Sequence, residues 1–201
     1  MKKISLVAAL MVLLCGASLS AKSFDWSQSW CNYGAGVKEG DFLVTADVAL
    51  DFTDFAYLSN TNGWFMPPVM VEVQYAKKIW KLPFTFGGFA GVGGHGYSYG
   101  DTWHLDSNYN IVYDTYVTRY WWNIFFGAEA AYHAKLPVDT LDVYVITRLG
   151  VNIPITNGYT YFGDYILFGE AIGINWFFSD KVGLNAEIGY PFTKVGATFK
   201  F

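Results

Sequence analysis

Residues 195–201, Val-Gly-Ala-Thr-Phe-Lys-Phe, alternate without a break: Val195, Ala197, Phe199 and Phe201 fall on one side of an extended strand, and Gly196, Thr198 and Lys200 on the other. A strand that is greasy on one face and small or polar on the opposite one suits a wall with hydrocarbon outside and a wet interior. Such a strand cannot leave an open edge in hydrocarbon, because its unpaired N–H and C=O groups would have no partner there, so the sheet has to close on itself. Composition points the same way. Aromatic residues make up 20% of the 201 residues and charged residues only 15%, and the mean hydropathy is +0.22. Yet no stretch beyond residue 21 has the ~20 apolar residues that a membrane-spanning helix needs. A membrane protein of this make-up crosses by strands.

The amino-terminus is read independently. Met1-Lys2-Lys3 is cationic, residues 4–15 are apolar apart from Ser5, and residues 16–21 are small or weakly polar. Together they form a secretory signal peptide over 1–21, with the mature chain expected to start near Lys22. Leu14, being large, disfavours lipid attachment at Cys15. Removing the leader takes Cys15 with it and leaves Cys31 as a lone thiol with no disulfide partner. Residues 22–41, with Trp26, Trp30 and Tyr33, are expected to be a periplasmic segment anchored at the membrane interface, and 42–201 a single barrel domain.

Period-2 alternation marks eight strands. The first, 42–53, sets Phe42, Val44, Ala46, Val48, Leu50 and Phe52 against Thr45, Asp47, Ala49 and Asp51. The second, 69–77, opposes Val69, Val71, Val73 and Tyr75 to Glu72 and Gln74. The third, 84–99, is glycine-rich, which implies bulges or an inward side chain packed closely from a neighbour. The fourth, 116–134, is the clearest: Tyr120, Trp122, Ile124, Phe126, Ala128 and Tyr132 oppose Arg119, Asn123, Glu129 and His133. The fifth, 141–153, opposes Leu141, Val143, Val145, Leu149 and Val151 to Asp142, Arg148 and Asn152. In the sixth, 165–178, Glu170 shares a phase with Ile166, Phe168, Ile172, Ile174 and Trp176, and a bulge at Gly169 or Gly173 is expected to turn it inward. The seventh, 182–190, sets Leu184, Ala186 and Ile188 against Asn185 and Glu187. The eighth is the terminal strand.

These strands imply short turns at 78–83, 135–140 and 179–181 on one side. On the other they imply long connections at 54–68 and 100–115, an intermediate one at 157–164 and a tight one at 191–194. Short on the periplasmic side and long outside is the usual barrel pattern. Aromatic residues sit near both sets of strand ends. Trp64, Tyr97, Tyr99, Trp103 and Tyr165 are among those on the outer side, and Trp80, Phe84, Tyr132, Trp176 and Phe201 fall on the inner side, as two interfacial girdles require.

The terminal strand with its final Phe201 resembles the carboxy-terminal signature of bacterial outer-membrane barrels. The mature chain as a whole is similar to small eight-stranded barrels of the OmpA-membrane-domain, OmpX and OmpW type. The resemblance implies an all-β, eight-stranded antiparallel up-and-down transmembrane barrel in the outer membrane of a Gram-negative type cell. Its implied partners are the lipids of that membrane and the barrel-assembly machinery, the latter engaged through the carboxy-terminal strand.

Chemistry is sparse. The barrel lipid deacylases, which the architecture also resembles, use a His followed two places on by Ser, and His95, His104 and His133 all lack that pattern. His104, Asp106 and Ser107 are close in sequence but are an ordinary loop composition. No catalytic residue, cofactor or metal site is expected, and a net charge of -4 with no basic patch excludes nucleic acid as a partner.

The inward faces do carry charge. Asp47, Asp51, Glu72, Glu129, Asp142 and Glu187 oppose Arg119, Arg148, Lys194 and Lys200, with Gln74, Asn123, Asn152 and Asn185 between them. An incomplete or movable network passes small solutes or ions; a complete one plugs the lumen. The expectation is a narrow channel. The alternatives are a plugged barrel that touches host or envelope components through loops 54–68 and 100–115, and, below that, a lipid-modifying enzyme.

Overall fold

A computed structural model describes residues 29–49, 62–99, 103–113, 117–157 and 165–201. Ten strands follow in order: β1 (Phe42–Ala49), β2 (Asn62–Ile79), β3 (Leu82–Tyr99), β4 (Trp103–Leu105), β5 (Ile111–Tyr113), β6 (Val117–Lys135), β7 (Leu141–Thr156), β8 (Ile166–Phe177), β9 (Val182–Tyr190) and β10 (Lys194–Lys200). Eight of them close an antiparallel barrel in the order β1-β10-β9-β8-β7-β6-β3-β2, while β4 and β5 pair only with each other. Closure joins the first and last strands, with Val44 opposite Phe199 and Val48 opposite Val195. The terminal alternation thus sets the register that seals the wall.

The wall is inside-out relative to a water-soluble barrel. Val71, Val73, Tyr75, Ile124, Phe126 and Leu149 are exposed on the outside, whereas Glu72, Gln74, Glu129 and Arg148 are buried inside. An apolar exterior around a polar interior is the build of a transmembrane barrel. The eight expected strands are all present, and β2, β3 and β7 run further than the alternation indicates. The turns at 80–81, 136–140 and 178–181 lie at one end, the short-turn end, and the long connections lie at the other together with the tight turn at 191–193.

Three expectations are corrected. Glu170 is not turned inward: β8 keeps an unbroken register with β7 and β9, and the carboxylate lies on the outer wall beside Thr147 and Tyr190. Its neighbour Gly169 pairs with Arg148, and the outward Ile166, Phe168, Leu149 and Val151 continue the apolar wall beyond it, so Glu170 is an acid set within the apolar exterior. Glu170→Leu is therefore expected to stabilise the barrel by about 2 kcal/mol in lipid, read by urea unfolding in vesicles.

The bulge lies instead on β2, between Met66 and Val69, opposite β3, and β3 itself runs in continuous register along β6. The glycines of β3 serve close packing, since a Cβ on Gly91 would enter the Phe125 ring. Tyr97, assigned to the outer aromatic girdle, instead stacks on Trp121, with centroids 5.5 Å apart. Its pairing partner Arg119 is one of the inward-phase residues of β6. Leu50, Asp51 and Phe52 fall outside the described residues, as do Phe55, Tyr57, Tyr116 and Tyr161, four further aromatic residues expected near the outer strand ends.

Candidate functional site in the barrel lumen

The lumen is filled in tiers. At its centre Arg148 from β7 and Lys194 from β10 meet four carboxylates. The guanidinium contacts Glu72 at 2.5 Å, Glu187 at 2.8 Å and Glu129 at 3.0 Å. The Lys194 ammonium bonds Asp47, and lies 2.8 Å from Glu72 and 3.1 Å from Glu187. Six strands supply these side chains. Two of the pairs are direct cross-strand neighbours, Glu129 with Arg148 and Glu187 with Lys194, so register alone brings them together. Arg148 is 4% exposed and Lys194 1%. At that depth a charge survives only if its partners satisfy it.

A closed circuit of hydrogen bonds runs from the cluster toward the short-turn end. Gln74 Nε2 donates to Glu129 (2.8 Å) and Thr85 Oγ1 to Gln74 Oε1 (2.8 Å). Thr85 also meets His133 Nε2 at 2.9 Å, and the His133 Nδ1–H donates to Asp142 (2.9 Å). Asn175 Nδ2 donates to Asp142 (3.1 Å), Asn185 Nδ2 to Asn175 Oδ1 (2.8 Å) and to the Tyr144 hydroxyl (2.5 Å). Tyr144 donates to Glu187 (2.7 Å), where Arg148 completes the circuit. Thr198 and Thr45 hang on this ring through Asn175 Oδ1.

Thr85, His133 and Asp142 have the order of a hydroxyl–imidazole–carboxylate relay. All three are fully buried, however, and the Thr85 hydroxyl hydrogen is given to Gln74. A nucleophile needs access to substrate and a base free to take its proton. This trio has neither and works as structure.

Residues 29–41 close the short-turn end rather than trailing along the interface. Tyr33, Ala35 and Val37 pack on Leu43, Ala76 and Phe177. The Gly34 N–H donates to Asp142 (3.1 Å), the Tyr33 hydroxyl to the Phe84 carbonyl (2.7 Å) and Lys78 to the Cys31 carbonyl (3.0 Å). The sequence showed the aromatic anchors but not their target, because a plug without strand or helix periodicity leaves no pattern to read. Asp142→Ala strips the acceptor from Gly34, His133 and Asn175 together. We expect protease cleavage within 29–41 of the folded barrel to rise about tenfold, the equivalent of one charged hydrogen bond.

On the other side of the cluster Met70, Phe89, Phe125 and Leu167 form an apolar layer backed by Phe192. Above it Asn152 Nδ2 donates to Asn123 Oδ1 (3.0 Å), and His95 and Tyr97 stack on Trp121.

The residues read from the sequence therefore divide. Asp47, Glu72, Glu129, Arg148 and Glu187 form the cluster with Lys194, and Gln74, Asp142 and Asn185 belong to the ring. Asn123 and Asn152 stand apart beyond the apolar layer. Arg119 donates to the Asn157 carbonyl at the long-connection end, and Lys200 reaches the Ala35 carbonyl and the Phe177 ring at the other. Thr85, Tyr144 and Asn175 were missed, although each lies on the inward phase of its strand.

No protein-family model matches the sequence, and no curated protein was found to be similar to it. Among solved structures the chain is similar to one from "De novo design of transmembrane beta-barrels", with 17% identity and a TM-score of 0.43 over 82% of this chain and 98% of that one. No family is assigned on these grounds. The barrel rests on its own strand pairing.

Proposed function

We propose that the protein is an integral outer-membrane barrel with a sealed lumen, non-enzymatic, acting through its surface rather than by passage of solutes. The observation that carries this is the occupancy of the lumen by plug, ring, ion cluster and apolar layer in succession. The continuous apolar exterior supports the membrane location, since a patch of that size in water marks an interaction or membrane surface. The leader-like residues 1–21 and the terminal strand 195–201 support export and delivery to the outer membrane by the assembly machinery.

With the lumen filled, contact falls to the long-connection end, where β4 and β5 form a separate hairpin. Its tip is pinned by Asp106, which accepts from the backbone N–H groups of Asn108 (2.8 Å) and Asn110 (2.9 Å) and from the Asn110 side chain (3.1 Å). The Asn110 N–H, its amide and then the Asn108 N–H hold the Asp106 carboxyl below its ordinary pKa. Tyr109, at φ 64° and 84% exposed, is presented outward from this tip. A bulky residue held in a left-handed conformation at a solvent-facing tip fits a contact surface on a host or envelope component.

The test replaces 103–113 by a short Gly-Ser linker and compares adhesion of cells displaying each form, with folding checked by resistance to heat in detergent. Loss of adhesion with the barrel intact supports the reading. Unchanged adhesion with equal display would remove the hairpin from it.

A further inference from the structure

A cavity of about 290 Å³ lies beyond the apolar layer, at the long-connection end. Its floor is Phe125, Leu167 and Phe192, and its polar groups are the hydrogen-bonded amides of Asn123 and Asn152 with the His95 imidazole. Its remaining lining is unusual: Ile166, Phe168 and Tyr190 also border it, and these belong to the outer face of the wall. The strand pairing shows how these strand ends come to border it.

β8 is paired with β7 as far as Ile166 opposite Val151, but β9 reaches only to Tyr190 opposite Glu170. Residues 166–169 therefore have β7 on one side and no β9 partner on the other, among the described residues. Phe192 turns in across this gap and packs on Phe125, with centroids 5.3 Å apart. No charged side chain lines this notch among the described residues.

We propose that this notch is a binding site for a small, uncharged, lipophilic molecule carrying one hydrogen-bonding group, of the alkanol or alkyl-amide class, with its chain on the aromatic floor and its polar end at Asn123 and Asn152. The volume lies at the small end of ligand pockets, which excludes whole lipids. A charged head would lose its hydration against neutral amides and a greasy floor without gaining a counter-ion. Entry from the bilayer rests on the membrane-spanning reading above; occupancy of the notch does not.

The experiment titrates the mature protein, ¹⁵N-labelled at asparagine and refolded into lipid nanodiscs, with 1-octanol, and in parallel with octanoate at pH 8. The side-chain amide signals of Asn123 and Asn152 should shift and saturate, while those of Asn175 and Asn185 in the sealed ring stay fixed. Octanoate should bind about tenfold more weakly. Leu167→Trp fills the floor and should abolish the saturable shift, with unmoved Asn175 and Asn185 signals reporting the fold. If that variant does not fold, Phe192→Ala deepens the floor and should move the preference from octanol to decanol. Shifts that climb linearly without saturating, that are equal for octanol and octanoate, or that neither variant changes would overturn the proposal.

Discussion

Replacing Arg148 by methionine is expected to destabilise the barrel by about 3–5 kcal/mol, the cost of leaving buried charge without its partner. The methionine fills a similar volume, so the loss is electrostatic rather than a cavity. Glu72, Glu129 and Glu187 would be left around one remaining cation, Lys194, which touches only Glu72 and Glu187 of the three. Glu129 is then the most exposed to the loss, with Gln74 as its surviving donor. The double variant Arg148→Met, Glu129→Gln should accordingly recover part of the stability, because it removes the carboxylate that Lys194 does not reach. Urea unfolding of the vesicle-reconstituted protein, followed by tryptophan fluorescence, measures all three. A single variant within 1 kcal/mol of the parent would mean that the cluster is hydrated rather than sealed.

A second large effect is expected at Gly173, a position that has no charge and makes no hydrogen bond through a side chain. A Cβ placed there would run into the ring and hydroxyl of Tyr144, the residue that links Asn185 to Glu187 in the circuit. Gly173→Val should therefore cost about 3 kcal/mol, the upper end for overpacking, since the ring has to leave its hydrogen bonds as well as its space. Tyr144→Ala alone should also destabilise. Combined with Gly173→Val it should be less harmful than the sum of the two, with a coupling of at least about 1 kcal/mol. Simple additivity would mean that Tyr144 has another place to go.

How much of this was legible in the sequence depended on whether a feature repeats with the strand period. The eight strands, their facing and the acids and bases of the central cluster follow from alternation, because inward and outward positions differ in chemistry along almost every strand. Glu170 misled in the opposite way: the alternation put it on the outer phase, where it lies, and the bulge expected to turn it inward is absent because β8 keeps unbroken register with both neighbours. The apolar layer of Met70, Phe89, Phe125 and Leu167 broke the rule that inward means polar, so the sequence suggested a wetter lumen than the one formed. Thr85 was hidden among the glycines of β3, where few side chains mark the phase. The plug over 29–41 has no period, and its docking on Asp142 joins residues 108 positions apart.

The sealed lumen is the central claim, and single-channel recording in planar bilayers tests it most directly, using residues 22–201 and a form that also lacks 22–41. Silence from both, with each β-rich by circular dichroism, is the predicted result, because the ion cluster and the Phe125 layer remain after the plug is gone. Discrete conductance steps from residues 22–201, changing in size or selectivity when Arg148 is replaced, would contradict it and establish a channel lined by those charges.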